Sequence, residues 1–240
     1  MIDSAQAPTR RPVTLTRAKG LHYLEFLAEM HDMRRPDWYL EVGTARGQSL
    51  ALARCASIAI DPAFRLDRQV TGSKPELHLF QSTSDAAFAS ARMAALAPRV
   101  DIAFLDGLHL FDVLLRDFVN VERLMAPGGV IAVHDTRPFT LEMTARRPSP
   151  GSAGWTGDVW KLLPILAECR ADLTIRHVGC RPTGLTLIRG RWGGNDALER
   201  DHERIVARWM EVSLEHYGPD RYAAQFPLIG AEAAFLELAE

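Results

Sequence analysis

The chain alternates short apolar runs with segments in which apolar residues recur every three or four positions. Short apolar runs are typical of strands buried on both faces, and the longer spacing is typical of a helix with one buried face. Strands are predicted at residues 38–42, 57–60, 77–80, 100–105, 130–133, 173–178 and 184–188. Helices are predicted at residues 23–30, 49–55, 86–97, 110–124, 158–169 and 197–216. Since strands and helices alternate, we expect an α/β domain with a mainly parallel sheet.

Two further segments complete this outline. Residues 136–156 form a connection of about twenty residues, which is long for a compact domain and is therefore expected to be functional or mobile. A short apolar piece lies near residues 231–238. The chain has 240 residues, which is long enough for one large domain with a substantial core.

Composition excludes several classes of function. The formal net charge is -2 and the pI is about 6.5, so no basic field draws the chain to nucleic acid or to an anionic membrane. No apolar run is long enough for a membrane span, and the first residues lack the apolar core of a secretory signal, which predicts a cytoplasmic protein. Cys55, Cys169 and Cys180 lack metal-ligand spacing and are expected to be reduced. The expected partner is a small molecule, and a homo-oligomer is left open.

Four of the predicted strands end at or beside a carboxylate, namely Glu41, Asp61, Asp106 and Asp135. In an open α/β sheet, ligands bind beyond the carboxyl ends of the parallel strands, where the strand order reverses. A single Asp in such a place commonly does no more than cap the next helix. Four acids at one edge indicate a polar binding site instead.

The first of these strands leads into a turn that contains Gly43 and Gly47. A dinucleotide-binding loop would need glycine where the chain has Ala45 and Gln48. It would also place two phosphate groups beside the carboxylate of Glu41, and that repulsion works against the attraction of a helix N-terminus. A cationic ligand therefore suits the turn better than a dinucleotide.

In these residues the chain resembles the class I S-adenosylmethionine-dependent methyltransferases, in particular methyltransferase family 24, over residues 21–188. Their ExGxxxG motif is present as Glu41, Gly43 and Gly47, and the QSTSD, APGG and GLTLI segments match as well. The resemblance implies a Rossmann-like three-layer sandwich with a mostly parallel seven-stranded sheet and one antiparallel strand. We take residues 1–190 as the methyltransferase domain and residues 191–240 as a C-terminal helical extension of the same domain.

The resemblance also assigns roles toward S-adenosylmethionine. Glu41 would face the methionine ammonium, Ser49 would bind the methionine carboxylate, and Asp61 would take the ribose hydroxyls. Ser82 and Thr83 stand where the family contacts adenine. The implied cofactor-binding residues are Glu41, Gly43, Thr44, Gly47, Ser49, Asp61, Ser82, Thr83 and Asp106.

Methyl transfer to a hydroxyl needs a base that takes the hydroxyl proton or a metal that acidifies it. Asp106 offers a hard oxygen ligand, and we take His109, three residues later, as the catalytic base. This corner resembles the metal-dependent O-methyltransferases of macrolide sugars and of catechols. That resemblance implies that Asp106 and Asp135 hold Mg²⁺ or another divalent metal. His134 stands where the macrolide sugar enzymes carry glutamate, and as a third metal ligand it would suit manganese, iron or zinc better than magnesium.

The segment that follows the fifth predicted strand carries Arg137, Arg146 and Arg147, then Trp155 and Trp160. It could form a lid with aromatic walls, in which the arginines recognise an anionic group. Alternatively, the arginines are a solvated face and the tryptophans belong to the core. The predicted function is methyl transfer to a hydroxyl of a sugar or another natural product. The alternatives are an NAD(P)-dependent Rossmann oxidoreductase and a non-catalytic cofactor-binding module.

Overall fold

The computed structural model describes residues 15–148 and 154–239. The strands in this part of the chain are β1 (Trp38–Val42), β2 (Ala56–Ile60), β3 (Leu77–Phe80), β4 (Val100–Leu105), β5 (Met125–His134), β6 (Leu173–Val178), β7 (Leu185–Gly190) and β8 (Leu228–Ile229). The helices are α1 (Tyr23–Arg34), α2 (Ser84–Phe88), α3 (Ala91–Leu96), α4 (Phe111–Glu122), α5 (Leu162–Cys169), α6 (Ala197–Arg200), α7 (His202–Met210), α8 (Leu214–Tyr217), α9 (Pro219–Gln225) and α10 (Ala231–Leu238). Single 3₁₀ turns lie at Leu50–Leu52, Glu142–Thr144 and Val159–Lys161.

The described strands form one sheet of eight in the order β3-β2-β1-β4-β5-β7-β6-β8. Neighbouring strands are parallel except at β7, which is antiparallel to both β5 and β6. The strand order reverses between β1 and β4, so the carboxyl ends of these two strands open a crevice. The α/β class, the mainly parallel sheet and its one antiparallel strand are confirmed. The eighth strand, β8, was not predicted because two residues are too short to show a pattern.

Apolar side chains cover both faces of the sheet. Along β1, Leu40 packs in the same core cluster as Phe118 of α4 and Trp209 of α7. The preceding residue, Tyr39, packs in a second cluster with Phe26 of α1. Successive side chains of a strand point to opposite faces, so the two clusters are the two interfaces of a three-layer sandwich. Burial on both faces is also why the strands appear in the sequence as continuous apolar runs.

Three predicted helices differ from the structure. The helix predicted at residues 49–55 is reduced to the 3₁₀ turn at Leu50–Leu52, since the glycine turn before it and β2 after it leave room for little more than one turn. The helix predicted at residues 86–97 is divided into α2 and α3 at Ser90, whose side chain caps α3. The helix predicted at residues 197–216 is divided into α6, α7 and α8, because Ser213 caps a new helix after α7 has ended at Met210.

The segment after β7 packs onto the same core as the sheet. Trp209, Leu214, Tyr222 and Phe226 all belong to the cluster that contains Leu40. Strand β8 extends the sheet beside β6, and the apolar piece predicted near residues 231–238 is the helix α10. Residues 149–153 of the long predicted connection lie outside the described residues, as does the N-terminal segment 1–14. Within the described ranges, no helix has the length and the apolar character that a membrane crossing requires.

Candidate active site

The turn after β1 places its backbone directly against the end of β4. Gly43 has a φ of +90°, and a Cβ added there would lie 2.0 Å from the carbonyl oxygen of Asp106. Gly47 has a φ of +77°, and its added Cβ would lie 2.6 Å from Cγ1 of Val70. Both positions therefore require glycine for conformation and for space. The close approach seen here is between parts of the chain itself, and the contact of these glycines with a cofactor stays a prediction.

Glu41 lies completely buried at the base of this turn. The hydroxyl of Tyr39 donates a hydrogen bond of 2.7 Å to Oε2 of Glu41. Burial raises the pKa of Glu41, and the hydrogen bond from Tyr39 acts in the opposite direction. Among the described residues, Oε1 of Glu41 and the hydroxyl of Thr44 are buried without a hydrogen-bond partner. An unpaired buried oxygen of this kind can accept a hydrogen bond from a bound ligand.

Asp61, at the end of β2, joins two loops through its carboxylate. Oδ2 accepts a hydrogen bond of 2.8 Å from the backbone N–H of Ala45, and Oδ1 accepts one of 2.7 Å from that of Ala63. Each carboxylate oxygen can accept a second hydrogen bond. Thr83 caps α2 through a 3.3 Å hydrogen bond that its hydroxyl accepts from the backbone N–H of Ala86.

A cavity of about 660 Å³ opens along the carboxyl ends of β1, β2, β4 and β5. Its wall includes seven of the predicted site residues: Gly43, Asp61, Thr83, Asp106, His109, His134 and Asp135. The other predicted cofactor residues, Glu41, Thr44, Gly47, Ser49 and Ser82, do not line it. Of these, Glu41, Thr44 and Ser49 are buried beside the cavity rather than in its wall.

Asp117 of α4 is a cavity residue that the sequence did not indicate. It is buried, and among the described residues its Oδ1 has no hydrogen-bond partner. Burial raises the pKa of Asp117 to about 6, against a hydrogen bond from Ser84 that lowers it. The residue lies in the wall together with Thr83 and Ser84. In the sequence it has the spacing of an ordinary helix residue, so no signal there could have identified it.

Two aspartates and two histidines meet in the wall of the cavity. We call Asp106, His109, His134 and Asp135 the His–Asp cluster. Nε2 of His109 lies 3.5 Å from Oδ1 of Asp106 and 3.3 Å from Oδ2 of Asp135. Nδ1 of His134 lies 3.2 Å from Oδ1 of Asp106 and 3.5 Å from Oδ1 of Asp135. The structure therefore brings together the predicted base and all three predicted metal ligands.

Each imidazole in the His–Asp cluster is stabilised as a cation. Burial lowers the pKa of His109, but the hydrogen bond to Asp106 and the charges of both aspartates outweigh this effect and raise the pKa to about 9. Burial raises the pKa of Asp106, but the charge of His134 and the hydrogen bonds from both histidines lower it to about 2. The pKa of His134 is also raised, since the two carboxylates oppose the effect of burial. At neutral pH, His109 therefore retains its proton in this state.

The segment 155–158 fixes the orientation of His109. Nδ1 of His109 lies 3.0 Å from the carbonyl oxygen of Trp155, which can only accept, so this nitrogen carries a proton. The two rings also lie against each other with centroids 5.1 Å apart. At Gly157, an added Cβ would lie 1.7 Å from the carbonyl oxygen of His109, so only glycine fits there. Nε2 is left facing Asp106 and Asp135.

Arg146 and Trp160, which were predicted as part of a lid, make contacts that stabilise the fold. Arg146 donates hydrogen bonds of 2.8 Å to Asp158 and 2.7 Å to Asp112. Trp160 is buried in the core, whereas Trp155 is half-buried beside His109. Trp160 therefore belongs to the core, as one of the two alternatives predicted for both tryptophans, whereas Trp155 lies at the site.

Tyr23 of α1 reaches the site from the opposite face of the sheet. Its ring lies 4.0 Å from the His134 ring, centroid to centroid. Burial and the charges of Asp106, Asp135 and Glu41 all raise the pKa of the Tyr23 hydroxyl. The sequence showed only that Tyr23 lies on the apolar face of a helix, because its approach to β5 depends on the order of the strands.

Asp106, His134 and Asp135 each present one ligand atom, and these atoms lie within 4.8 Å of one another. Two carboxylate oxygens and one imidazole nitrogen form a donor set that suits manganese, iron or zinc better than magnesium. Asp135 has a φ of +61°, a left-handed conformation that turns its carboxylate toward the cluster at the end of β5. The residues present therefore fit a divalent metal of the transition series.

The chain is similar to known proteins in part of its sequence and in its fold. Residues 40–136 match a protein family described as a methyltransferase domain. The O-methyltransferase from Bacillus cereus, solved in complex with S-adenosylhomocysteine (SAH), is 12% identical, with a TM-score of 0.52, over 74% of this chain and 84% of that one. The SAH-bound methyltransferase PaMTH1 from Podospora anserina is 14% identical, with a TM-score of 0.52, over 70% of this chain and 78% of that one. No curated protein sequence matches the chain.

The match of residues 40–136 to a methyltransferase domain and the shared fold agree with the resemblance to class I S-adenosylmethionine-dependent methyltransferases. The resemblance stated from the ExGxxxG turn is thereby confirmed. The roles of the individual site residues, the acceptor and the metal are matters for proposal.

Proposed function

We propose that the chain transfers the methyl group of S-adenosylmethionine to a hydroxyl of a small molecule at the His–Asp cluster. The observation that carries this proposal is one cavity whose wall contains both the turn residues Gly43 and Ala45 and the whole cluster. A methyl donor held at the turn and a hydroxyl held at the cluster would meet within that cavity. In-line displacement depends above all on such orientation and on exclusion of water.

The donor half would use the glycine turn. The unpaired oxygens of Glu41 and Thr44 are suited to the methionine ammonium, and Ser49 to the methionine carboxylate. Asp61 keeps free lone pairs for ribose hydroxyls while it holds the backbone of Ala45 and Ala63. The adenine would occupy the end of the cavity beside Thr83, where Asp117 offers a further polar contact.

The acceptor half would use the cluster. Asp106, His134 and Asp135 would hold a divalent ion. When bound, that ion would make the acceptor hydroxyl more acidic, and it would offset the carboxylate charge that raises the pKa of His109. His109 then serves as the base, since Trp155 holds Nδ1 and leaves Nε2 as the atom that takes the hydroxyl proton. The acceptor is a sugar or another natural product in this proposal, and Trp155 provides an aromatic wall beside the base.

Ligand-induced thermal stabilisation tests the proposal. The protein is heated with S-adenosylmethionine, SAH, NAD or NADP, each with and without Mn²⁺ or Mg²⁺. Both methionine cofactors should raise the Tm and the dinucleotides should not, since a ligand that binds only the folded state stabilises it. Stabilisation by NAD alone would overturn the proposal. Transfer to hydroxyl compounds, measured as SAH formed, should stop after chelation and return with Mn²⁺.

A further inference from the structure

Arg137 is a buried cation without a partner among the described residues. Only 7% of the residue is exposed, and its Nε and Nη1 atoms are buried without any hydrogen bond. A charged group removed from water is costly unless another charge or several hydrogen bonds compensate for it. Buried guanidinium groups are therefore normally paired, and an unpaired one indicates a partner that is not part of the fold.

Among the residues that the structure describes, no carboxylate compensates the charge of Arg137. The charged or titratable groups that influence it are Tyr222 and His177. Tyr222 is buried and donates its hydroxyl hydrogen to the backbone carbonyl of Thr136 at 2.7 Å. Burial lowers the pKa of His177 to about 3, so this residue is neutral. Burial likewise lowers the pKa of Arg137 itself.

The backbone nevertheless holds Arg137 firmly in this place. The N–H of Arg137 donates a hydrogen bond of 2.6 Å to the carbonyl oxygen of Thr183. Gly184 has a φ of +78°, and a Cβ there would lie 2.6 Å from Cβ of Arg137, so the glycine makes room for the side chain. The described part of the chain thus provides a specific location for a charge that it does not neutralise.

This location lies close to the His–Asp cluster. Arg137 follows Asp135 by two residues, a span of at most about 7 Å along the backbone. The hydroxyl of Thr183, whose carbonyl binds Arg137, donates a hydrogen bond to Asp135. Thr136 between them is fixed by Thr186 at 2.8 Å. The backbone of Arg137 therefore adjoins the proposed methyl acceptor site, although Arg137 is not among the residues that line the cavity of about 660 Å³.

The other arginines of the same segment differ from Arg137. Arg146 is neutralised by Asp112 and Asp158. Arg147 is exposed to solvent, where its charge needs no partner. Of the three arginines in this segment, Arg137 is the one whose burial calls for an anion.

We propose that Arg137 binds an anionic oxygen group of the acceptor, a carboxylate or a phosphate ester. The proposal rests on the proposed methyltransferase function for the identity of the ligand, but not for the anion site itself. A planar guanidinium can hold such a group through two parallel hydrogen bonds.

Anion binding can be measured without turnover. Inorganic phosphate and benzoate serve as probes of the two chemistries, titrated at constant ionic strength with sodium chloride as the reference salt. Thermal stabilisation is followed in the unaltered protein, in R137M and in the exposed control R147M. At least one probe should stabilise the unaltered protein and R147M in a saturable way, with an apparent affinity about tenfold or more weaker in R137M. The tighter probe tells which anionic group the acceptor carries.

Equal stabilisation of R137M and the unaltered protein would overturn the proposal, and so would failure of both probes to act beyond sodium chloride. Without any probe, R137M should be at least as stable as the unaltered protein, because it loses an unpaired buried charge. A large fall in its Tm, repeated in R137K, would show a structural contact instead and would also overturn the proposal. SAH binding by the same proteins separates the two proposals. Its absence from all of them contradicts methyltransferase function while leaving the anion site standing.

Discussion

Nε2 of His109 lies 3.3 Å from Oδ2 of Asp135, although the two residues follow different strands. The contact exists because β4 and β5 are parallel neighbours, so their carboxyl ends deliver both side chains to one point. Trp155 holds the far side of the imidazole, at Nδ1. The atom that faces Asp135 is therefore the one available for chemistry.

Replacement of His109 should separate chemistry from cofactor binding. His109→Gln keeps a side-chain donor of similar size but cannot act as a base at neutral pH. We expect the rate of methyl transfer to fall by about 10²- to 10⁴-fold, while the affinity for SAH measured by calorimetry stays within about twofold. His216→Gln, at an exposed residue of helix α8, is the control and should change neither quantity. Loss of SAH affinity in His109→Gln would show that the residue is not simply the base.

Removal of one carboxylate charge should weaken metal binding. Asparagine tolerates the left-handed backbone of residue 135 and can still accept the hydrogen bond from Thr183, so Asp135→Asn changes mainly the charge. We expect the affinity for Mn²⁺, measured by calorimetry, to fall by about 10-fold or more. The unaltered protein should bind Mn²⁺ or Zn²⁺ more tightly than Mg²⁺.

Asp32→Asn is the control for that change, since Asp32 forms an exposed ion pair with Arg54. It should leave metal affinity unaltered. If Asp135→Asn binds Mn²⁺ as tightly as Asp32→Asn does, the carboxylate of Asp135 is not a metal ligand.

A Cβ added at Gly43 should lower the free energy of unfolding more than a Cβ added at a glycine that has only a positive φ. Gly128 has a φ of +76° with open space around its Cβ position, whereas a Cβ at Gly43 meets the Asp106 carbonyl at 2.0 Å. Gly128→Ala should cost about 1 kcal/mol in the free energy of unfolding. Gly43→Ala should cost about 1–3 kcal/mol more, because the end of β4 must move. Urea unfolding of both variants measures the difference, and equal losses would contradict the close approach.

The buried carboxyl of Asp117 should make stability depend on pH. Its pKa is about 6 in the folded protein and about 4 when unfolded. A raised pKa favours the protonated form in the folded state, so stability is lost as the pH rises from about 4 to about 6. Asp117→Asn does not titrate there and should be more stable at pH 7 by up to about 3 kcal/mol.

Urea unfolding of Asp117→Asn and of the unaltered protein between pH 4.5 and pH 8 measures this difference. The advantage of the variant should grow up to about pH 6 and then stay constant. A difference between the two proteins that is the same at every pH would show that the Asp117 carboxyl does not titrate as its burial implies.

Much of the site followed from the sequence because parallel strands share one carboxyl edge. That rule placed Asp61, Asp106 and Asp135 at one edge before any contact was known. The carboxylate of Glu41 beside the glycine turn is the basis for predicting a cationic ligand there. The rule does not give the path of a loop. The contact of Trp155 with His109 and the unpaired charge of Arg137 depend on where residues 136–148 and 154–158 lie relative to the sheet. Neither residue shows a period or a motif that encodes such a contact.

The spacing of apolar residues predicted secondary structure least well where a short connection leaves no room for a full helix. The leucines and alanines after Gly47 favour a helix, yet β2 begins at Ala56 and leaves space for the 3₁₀ turn at Leu50–Leu52 alone. Asp117 shows that contacts are also hard to predict within a helix that was itself predicted. Its position in α4 was predictable, but its exposure to the cavity depends on the neighbouring Ser84 and Gly107.

In the proposed function, the methyl donor and the His–Asp cluster meet in one cavity. Nuclear magnetic resonance of bound S-adenosylmethionine labelled with ¹³C in its methyl group tests this directly. Mn²⁺ is added to the complex as a paramagnetic probe. The methyl signal should broaden strongly in the unaltered protein and remain sharp in Asp135→Asn at the same Mn²⁺ concentration. A sharp methyl signal in the unaltered protein, with Mn²⁺ shown by calorimetry to be bound, would contradict the account.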